Sequence, residues 1–188
     1  MHSDADLQML MVQYQTGDAS AAAALVSQLS PALHRFFMIQ HVSRRHADDL
    51  LQETWLRLHQ IRQTYRPGEP VLPWLYAIAR HIRVDHYRKA SRVETREQQV
   101  DQLPEISAAR QQRAGVGVDL EALLGSLPES QREVIAMLKI SGMSLEEVAR
   151  ATGASVGSVK QKAHRAYEKL REQLTRLGFG QLGVGGHS

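Results

Sequence analysis

Residues 143–170, MSLEEVARATGASVGSVKQKAHRAYEKL, place two helix starts and a glycine within one short stretch of chain. Ser144 is followed three residues later by Glu147, which is the capping-box pattern that begins a helix. Gly153 fits the left-handed position after a helix C-terminus, and Ser155 can cap the next helix immediately. This arrangement is typical of a helix-turn-helix unit.

The two helices of this unit differ in charge. The first opens with Glu146 and Glu147, whereas residues 155–176 hold six Lys or Arg against two Glu. Small residues at the start of the second helix allow close approach to a groove, and the longer polar side chains can reach base edges and phosphates. We therefore expect the second helix to bind DNA, with an αα-hairpin free of nucleic acid as the alternative. Its outward residues are Ser155, Gly157, Ser158, Lys160, Gln161, His164 and Arg165.

A second basic stretch, residues 70–92, interleaves aromatic and cationic side chains in the sequence PVLPWLYAIARHIRVDHYRKASR. Helical spacing places one apolar stripe on the core side, made of Leu75, Ile78, Ala79 and Ile82. The other stripe, made of Tyr76, Arg80, Arg83 and Tyr87, is then expected to be exposed. Aromatic rings stack on bases while cations meet phosphates, so this face suits single-stranded nucleic acid. An ordinary basic surface is the alternative.

Residues 47–60, ADDLLQETWLRLHQ, combine an apolar face with a compact polar face made of Asp48, Asp49, Gln52 and Glu53. We expect this polar face to be solvated or to dock a protein. Carboxylates at this spacing could in principle hold a metal, as in a metal-dependent hydrolase using Asp48, Asp49 and Glu53. Because no glycine-bent loop or His pairing accompanies them, we expect no metal site and no cofactor.

Helical spacing prevails along the whole chain of 188 residues, which predicts an all-α fold. In the first block, Asp18 looks like the N-cap of an Ala-rich helix that reaches about Gln28, and Pro31 is placed to open the next helix. Further helices are expected over 4–16, 47–61 and about 73–91, with the RPGEP segment at 66–70 as a loop.

The polar segment 93–118 lacks a sustained apolar stripe and is interpreted as a flexible linker. A second helical block follows at 119–177, and the Gly-rich segment 178–188 is interpreted as a flexible tail. The sequence therefore predicts two small helical domains, 1–92 and 119–177. The chain has no Cys, no signal-peptide pattern and no apolar run long enough to span a bilayer, so we expect a cytoplasmic protein.

These pieces, in this order, resemble a sigma factor of bacterial RNA polymerase. Within the sigma-70 family they resemble the extracytoplasmic-function (ECF) group, which keeps only regions 2 and 4. DDLLQETWLRLHQ is similar to the region 2 helix that grips the β′ clamp helices of the polymerase. PWLYAIARHIRVDHYRK is similar to the region 2 helix that reads and opens the −10 element. The stretch from 120 to 170 is similar to region 4, which reads the −35 element.

The resemblance implies a fold of a region 2 helical bundle and a region 4 helix-turn-helix, and it implies roles by position. Core-polymerase binding would fall to Asp49, Gln52 and Glu53. The −10 element would be met by the 66–70 loop together with Arg80, His81, Arg83, Tyr87, Arg88 and Lys89. The −35 element would be met at Ser155, Ser158, Lys160, Gln161, His164 and Arg165.

The same resemblance implies a promoter-specificity subunit with no catalytic activity of its own. Its expected partners are core RNA polymerase (through the β′ clamp helices and the β flap), promoter DNA and an anti-sigma factor. No small-molecule substrate and no membrane insertion are expected. The alternative is a stand-alone helix-turn-helix regulator that binds operator DNA without polymerase. The acidic helix beside an aromatic-basic one favours the sigma factor, because a free regulator has no need of it.

Overall fold

The computed structural model describes residues 4–40, 44–97 and 120–178. Every long element in these ranges is an α-helix, which confirms the predicted all-α class. The helices are α1 (Asp4–Gln15), α2 (Ala19–Ile39), α3 (Arg44–Ile61), α4 (Val71–Glu97), α5 (Leu120–Gly125), α6 (Glu129–Lys139), α7 (Leu145–Thr152) and α8 (Val156–Arg176). A short 3-10 turn, Arg62–Thr64, follows α3. None of the described helices is long and apolar enough to cross a membrane.

Helix α2 begins at the predicted N-cap, Asp18. Its Oδ1 accepts hydrogen bonds from the backbone amides of Ser20 and Ala21 at 2.8 and 3.2 Å. The Ser20 hydroxyl donates to the same oxygen at 2.6 Å. These donors stabilise the charged carboxylate and lower the pKa of Asp18. The local cap therefore forms as the sequence indicates.

Helix α2 then continues through Pro31 to Ile39, so the prediction of one helix ending near Gln28 and another opening at Pro31 was wrong. Pro31 is exposed, so the backbone hydrogen bond that proline cannot make is lost at the surface, where water can satisfy the carbonyl. Leu29, Leu33 and Phe36 are buried on either side of it. Their continuous apolar stripe stabilises a single helix across the proline.

Helix α4 carries the predicted core stripe, since Leu75, Ile78, Ala79 and Ile82 are all buried. It extends to Glu97, beyond the predicted end near 91, so the first residues assigned to the linker are helical. The rest of the predicted linker, 98–118, lies outside the described residues, as does the tail from 179 onward.

The caps of α7 and α8 form as the sequence predicts. The Ser144 hydroxyl accepts from the Glu147 amide at 3.2 Å, and the Glu147 carboxylate accepts from the Ser144 amide at 2.7 Å. Gly153 ends α7 with a left-handed backbone at φ 66°. The Ser155 hydroxyl, two residues after Gly153, then accepts from the Ser158 amide at 3.2 Å and caps α8, which begins at Val156.

We call α1–α4 the N-terminal module and α5–α8 the C-terminal module. The two modules pack directly on each other, with α7 against α4 and with α5 and α6 against α2. One continuous cluster of buried apolar side chains includes residues of both. The sequence predicted two tethered domains but not this contact, and the contact decides which functional residues are exposed.

Candidate nucleic-acid interface

Helix α8 has one buried and one exposed side. Val159, Ala163 and Ala166 are buried on the side that faces α6 and α7. On the opposite side, Ser158 is half-buried and the other predicted DNA-binding residues are exposed. Those exposed residues are Ser155, Lys160, Gln161, His164 and Arg165. The structure thus brings all six together on one accessible helix face.

This helix face is predominantly cationic. Lys160 and Arg165 stand exposed on it, while His164 Nε2 lies 3.3 Å from Glu168 Oε1, one turn further along. The exposed amides of the first turn of α8 add a partial positive charge at the end nearest the turn. A basic helix face that begins with small residues can enter a groove and contact both phosphates and base edges.

An open groove of about 480 Å³ lies beside this face, between α6, α8 and the start of α7. Its apolar surface comes mainly from Leu138, Met143, Leu145 and Ala163, and Lys160 lies at the same groove. Lys139 Nζ sits 5.9 Å from the centre of the Tyr167 ring, so a second cation borders the opening. The groove is therefore largely apolar, with Lys139 and Lys160 at its border.

The predicted polar face of α3 is exposed as expected. Asp48, Asp49, Gln52 and Glu53 all face solvent, opposite the buried side chains of the helix. Asp48 Oδ1 lies 3.1 Å from His34 Nε2 on α2. Within residues 4–40, 44–97 and 120–178, no group of three or more His, Cys, Asp or Glu is placed to hold a metal ion.

The predicted −10 residues on α4 fall into two sets. His81, Arg88, Lys89 and Tyr87 are exposed, the last with 42 % of its surface accessible. His81 and Arg88 both approach Asp85, at 3.2 and 3.9 Å. Tyr87 donates from its hydroxyl to the Gln40 carbonyl at 3.2 Å, and burial of its ring raises its pKa. This set can be reached by a nucleic acid in the present conformation.

The second set is covered by the C-terminal module. Arg83 is only 2 % exposed, and its Nη1 and Nη2 donate to Glu129 at 2.7 Å and to Glu133 at 3.1 Å. Arg80 is half-buried, and its Nε donates to both carboxylate oxygens of Glu133 at 3.2 and 3.3 Å. The prediction that this stripe is exposed is therefore confirmed for Tyr87 but was wrong for Arg83 and in part for Arg80, because Glu129 and Glu133 of α6 pair with these two arginines.

Tyr76, a third member of the stripe, is 1 % exposed and accepts a hydrogen bond from the Ser141 hydroxyl at 2.5 Å. Burial raises its pKa to about 12. The predicted 66–70 loop is also contacted from the C-terminal module, since Arg150 Nη1 lies 3.2 Å from Glu69 Oε2. Ser141 in the loop before α7 and Arg150 on α7 therefore contact Tyr76 and the 66–70 loop, both of which were expected to face DNA.

Sequence reasoning missed the partners that cover the stripe. Neither Glu129 nor Glu133 is among the candidate functional residues of the sequence analysis. Nothing in their local spacing could have revealed them, because the pairing joins residues about fifty positions apart through tertiary packing.

Comparison with known proteins gives the family. The model of Sigma-70 region 2 matches residues 25–93, and the model of Sigma-70 region 4 matches residues 117–170. The ECF RNA polymerase sigma factor SigF of Caulobacter vibrioides is 33% identical over 174 residues, which cover 90% of this chain and 94% of that one. This chain is an ECF sigma factor.

Other relatives agree with this assignment. The RNA polymerase sigma factor CarQ of Myxococcus xanthus is 32% identical to the sigma factor over 168 residues, 89% of this chain and 97% of that one. Sigma factors are not enzymes, and the family match decides against both the metal-dependent hydrolase and the stand-alone regulator.

Two solved structures share the sigma factor's fold. One is CnrH in complex with the cytosolic domain of CnrY, with a TM-score of 0.69 and 25% identity over 91% of this chain and 98% of that one. The other is the sigma factor RpoE in complex with the anti-sigma factor NepR from Bartonella quintana. Its TM-score is 0.67 and its identity 27%, over 80% of this chain and 94% of that one.

Proposed function

We propose that this sigma factor binds core RNA polymerase and directs initiation at promoters that carry a −10 and a −35 element. The observation that carries the proposal is the α7–α8 unit, in which a capped helix, a left-handed glycine and a second capped helix present an exposed basic face. The N-terminal module offers a second basic surface on α4. Two such surfaces on one chain suit two separate elements of one promoter.

For the −35 element, we assign the exposed face of α8 to the major groove. Lys160, Gln161 and Arg165 have the reach and donors to bind base edges, with Arg suited to a bidentate contact with guanine. Ser155 and Ser158 lie at the helix N-terminus, where free amides and the helix dipole favour a phosphate. His164 borders the same face.

For the −10 element, we assign α4. His81, Tyr87, Arg88 and Lys89 form its exposed part and can meet the DNA backbone and an unstacked base. Arg80 and Arg83 belong to the same helix but are engaged by α6 in this conformation. Their contact with DNA requires that α6 move away from α4.

For core polymerase, we assign the polar face of α3, with Asp49, Gln52 and Glu53 docking on the β′ clamp helices. The polarity of this face fits an interface that forms and releases in water. The apolar groove bordered by Lys139 and Lys160 is the place that we assign to the β flap.

We also propose control by an anti-sigma factor, in the cytoplasm where the polymerase and its template are found. The support is that RpoE, which shares the fold over 80% of this chain, was solved in complex with the anti-sigma factor NepR. The exposed surfaces on α3, α4 and α8 are the ones that such a partner would have to cover.

In vitro transcription tests the proposal. The purified chain is mixed with core RNA polymerase and a pooled library of randomised upstream fragments, and the transcript 5′ ends are sequenced. We expect transcripts whose templates share two spaced motifs upstream of the start. Transcription no greater than that of core enzyme alone, under conditions where a control sigma factor works, would overturn the assignment.

A further inference from the structure

We propose that a basic corner between α3 and α4 binds the phosphate backbone of the DNA duplex directly upstream of the −10 element. The basic corner consists of Arg44, Arg45 and His46 in the first turn of α3, with His86 and Lys89 on α4. The inference rests on the proposed function, since it takes α4 as the helix that meets the −10 element. It goes further by giving α3, otherwise assigned to the polymerase, a contact with DNA.

A contact between two histidines joins the two helices at this corner. The ring centres of His46 and His86 lie 5.0 Å apart, so the first turn of α3 lies against the second half of α4. The His86 ring in turn meets the Tyr87 ring edge-on at 6.3 Å. Lys89 follows His86 by three residues and therefore lies on the same side of α4. The basic corner is thus continuous with the exposed residues assigned to the −10 element.

The three permanent charges of the corner are exposed and uncompensated. Arg44, Arg45 and Lys89 all face solvent. Within residues 4–40, 44–97 and 120–178, none of them pairs with a carboxylate. Asp48, one turn after Arg44, lies instead 3.1 Å from His34 Nε2 on α2. The three cations are therefore available to an anion from outside the chain.

The placement of the two arginines does not serve the stability of α3. They occupy its first turn, which contains no acidic residue. The helix dipole puts a partial positive charge at this end, so cations there weaken the helix. A bound polyanion would offset this repulsion. The position of Arg44 and Arg45 is therefore explained by binding better than by folding.

The chemistry of the corner suits a duplex backbone. An arginine fork donates two parallel hydrogen bonds to a phosphate, lysine adds a point charge, and a neutral histidine still carries one ring N–H donor. The corner contributes charge and donors and no Tyr, Trp or Phe ring, on which unpaired bases stack best. Contacts of this kind fix the position of DNA without reading its sequence.

The order of elements along the chain indicates which side of the −10 element the corner meets. The 66–70 loop precedes α4, and the corner lies beside the second half of α4, away from that loop. From this half the chain continues toward the C-terminal module, which we assign to the −35 element. Because the −35 element lies upstream, the corner belongs on the upstream side of the −10 element.

Fluorescence anisotropy tests the corner in core RNA polymerase reconstituted with the full chain. Two labelled probes carry the same −10 element with an unpaired non-template strand and no −35 element. One probe ends at the upstream edge of the element, and the other continues for about one helical turn of paired duplex. The added duplex should raise the affinity of the unchanged holoenzyme at least about tenfold. The double variant Arg44→Gln with Arg45→Gln should lose most of this gain.

The salt dependence of binding to the longer probe counts the phosphate contacts. Each contact contributes about 0.9 to the slope of log affinity against log salt, so the double variant should lower the slope by roughly 2. Arg44→Lys with Arg45→Lys keeps both charges and should retain the slope. Arg57→Gln, the same neutralisation at an exposed site near the other end of α3, should change neither the slope nor the gain from the added duplex.

An equal gain from the added duplex in the double variant and the unchanged holoenzyme would overturn the basic corner. So would a loss of affinity for core polymerase without DNA that matches the loss on the longer probe, because the corner would then face a protein. Circular dichroism checks the helices, and if the double variant loses them, Arg45→Gln alone should lower the slope by about 1.

The basic corner and the proposed function can fail separately. A holoenzyme that initiates transcription but gains equally from the added duplex with and without the two arginines keeps the function and loses the corner. A holoenzyme that binds neither probe and initiates nowhere overturns both.

Discussion

Replacing Gly153 by Ala should destabilise the C-terminal module by about 1 kcal/mol. The backbone there is left-handed at φ 66°, and an added Cβ would meet nothing within 4 Å. The cost is therefore purely conformational, roughly 1–2 kcal/mol for a residue with a Cβ in this region. The reduced freedom of the unfolded chain offsets roughly 0.4–1 kcal/mol of it.

Gly157→Ala is the matched control, because it is the same substitution four residues away. Gly157 lies inside α8, where the nearest atom to an added Cβ is the Ser155 hydroxyl oxygen at 4.0 Å. Alanine in a helix should stabilise by roughly 0.5–1 kcal/mol relative to glycine. The two variants should thus shift the free energy of unfolding in opposite directions.

Urea denaturation of the full chain, followed by circular dichroism, measures both variants through the midpoint concentration. Gly157 is also exposed at the start of the DNA-binding face, so its added methyl should weaken binding to a −35 duplex although the protein becomes more stable. Equal stabilisation by both substitutions would refute the left-handed turn and the helix-turn-helix geometry derived from it.

Three other substitutions test the assigned surfaces and the buried tyrosine. Glu53→Lys should weaken the affinity for core polymerase, measured by a pull-down, without loss of helix content, whereas Glu172→Lys should leave it unchanged. Arg165→Ala should weaken −35 duplex binding by about 1–3 kcal/mol in a fluorescence titration, and equal affinity of this variant and Arg176→Ala would refute a base contact. Burial raises the pKa of Tyr76 from 10 to about 12, so between these pH values the unfolded state loses the proton first and stability falls as pH rises, by on the order of 2–3 kcal/mol. Tyr76→Phe should flatten this part of the stability curve, and an unchanged slope would contradict the burial.

The parts of the structure that the sequence predicted are those fixed by local interactions. Ser144, Glu147 and Ser155 cap helices through bonds to amides three residues away, and Gly153 turns the chain through its own backbone freedom. Each of these caps and turns depends only on residues close by in the sequence. The position of the basic face of α8 follows from the same local register, because the small buried residues determine which side points outward.

The parts that the sequence did not predict depend on tertiary packing. Arg83 and Tyr76 have the residue types and spacing of an exposed strand-binding stripe. Arg83 is instead paired with Glu133 of α6, and Tyr76 packs edge-on against Phe36 at 5.2 Å and accepts a hydrogen bond from Ser141 in the loop before α7. Pro31 shows the same limitation on a smaller scale. Its local preference favours a helix start, but the apolar stripe shared by Leu29 and Leu33 outweighs the loss of one surface hydrogen bond.

The most direct test of the whole account is a combined footprint of polymerase holoenzyme, reconstituted with this chain, on a promoter found by the transcription screen. Hydroxyl radicals should reveal protection at both upstream elements, and permanganate should detect unpaired thymines at the −10 element. Arg165→Ala should lose the −35 protection with little change at −10, and Arg83→Ala should lose the permanganate signal with −35 protection retained. Loss of both signals in each variant, or a footprint that does not depend on core polymerase, would contradict an assignment of separate elements to the two modules.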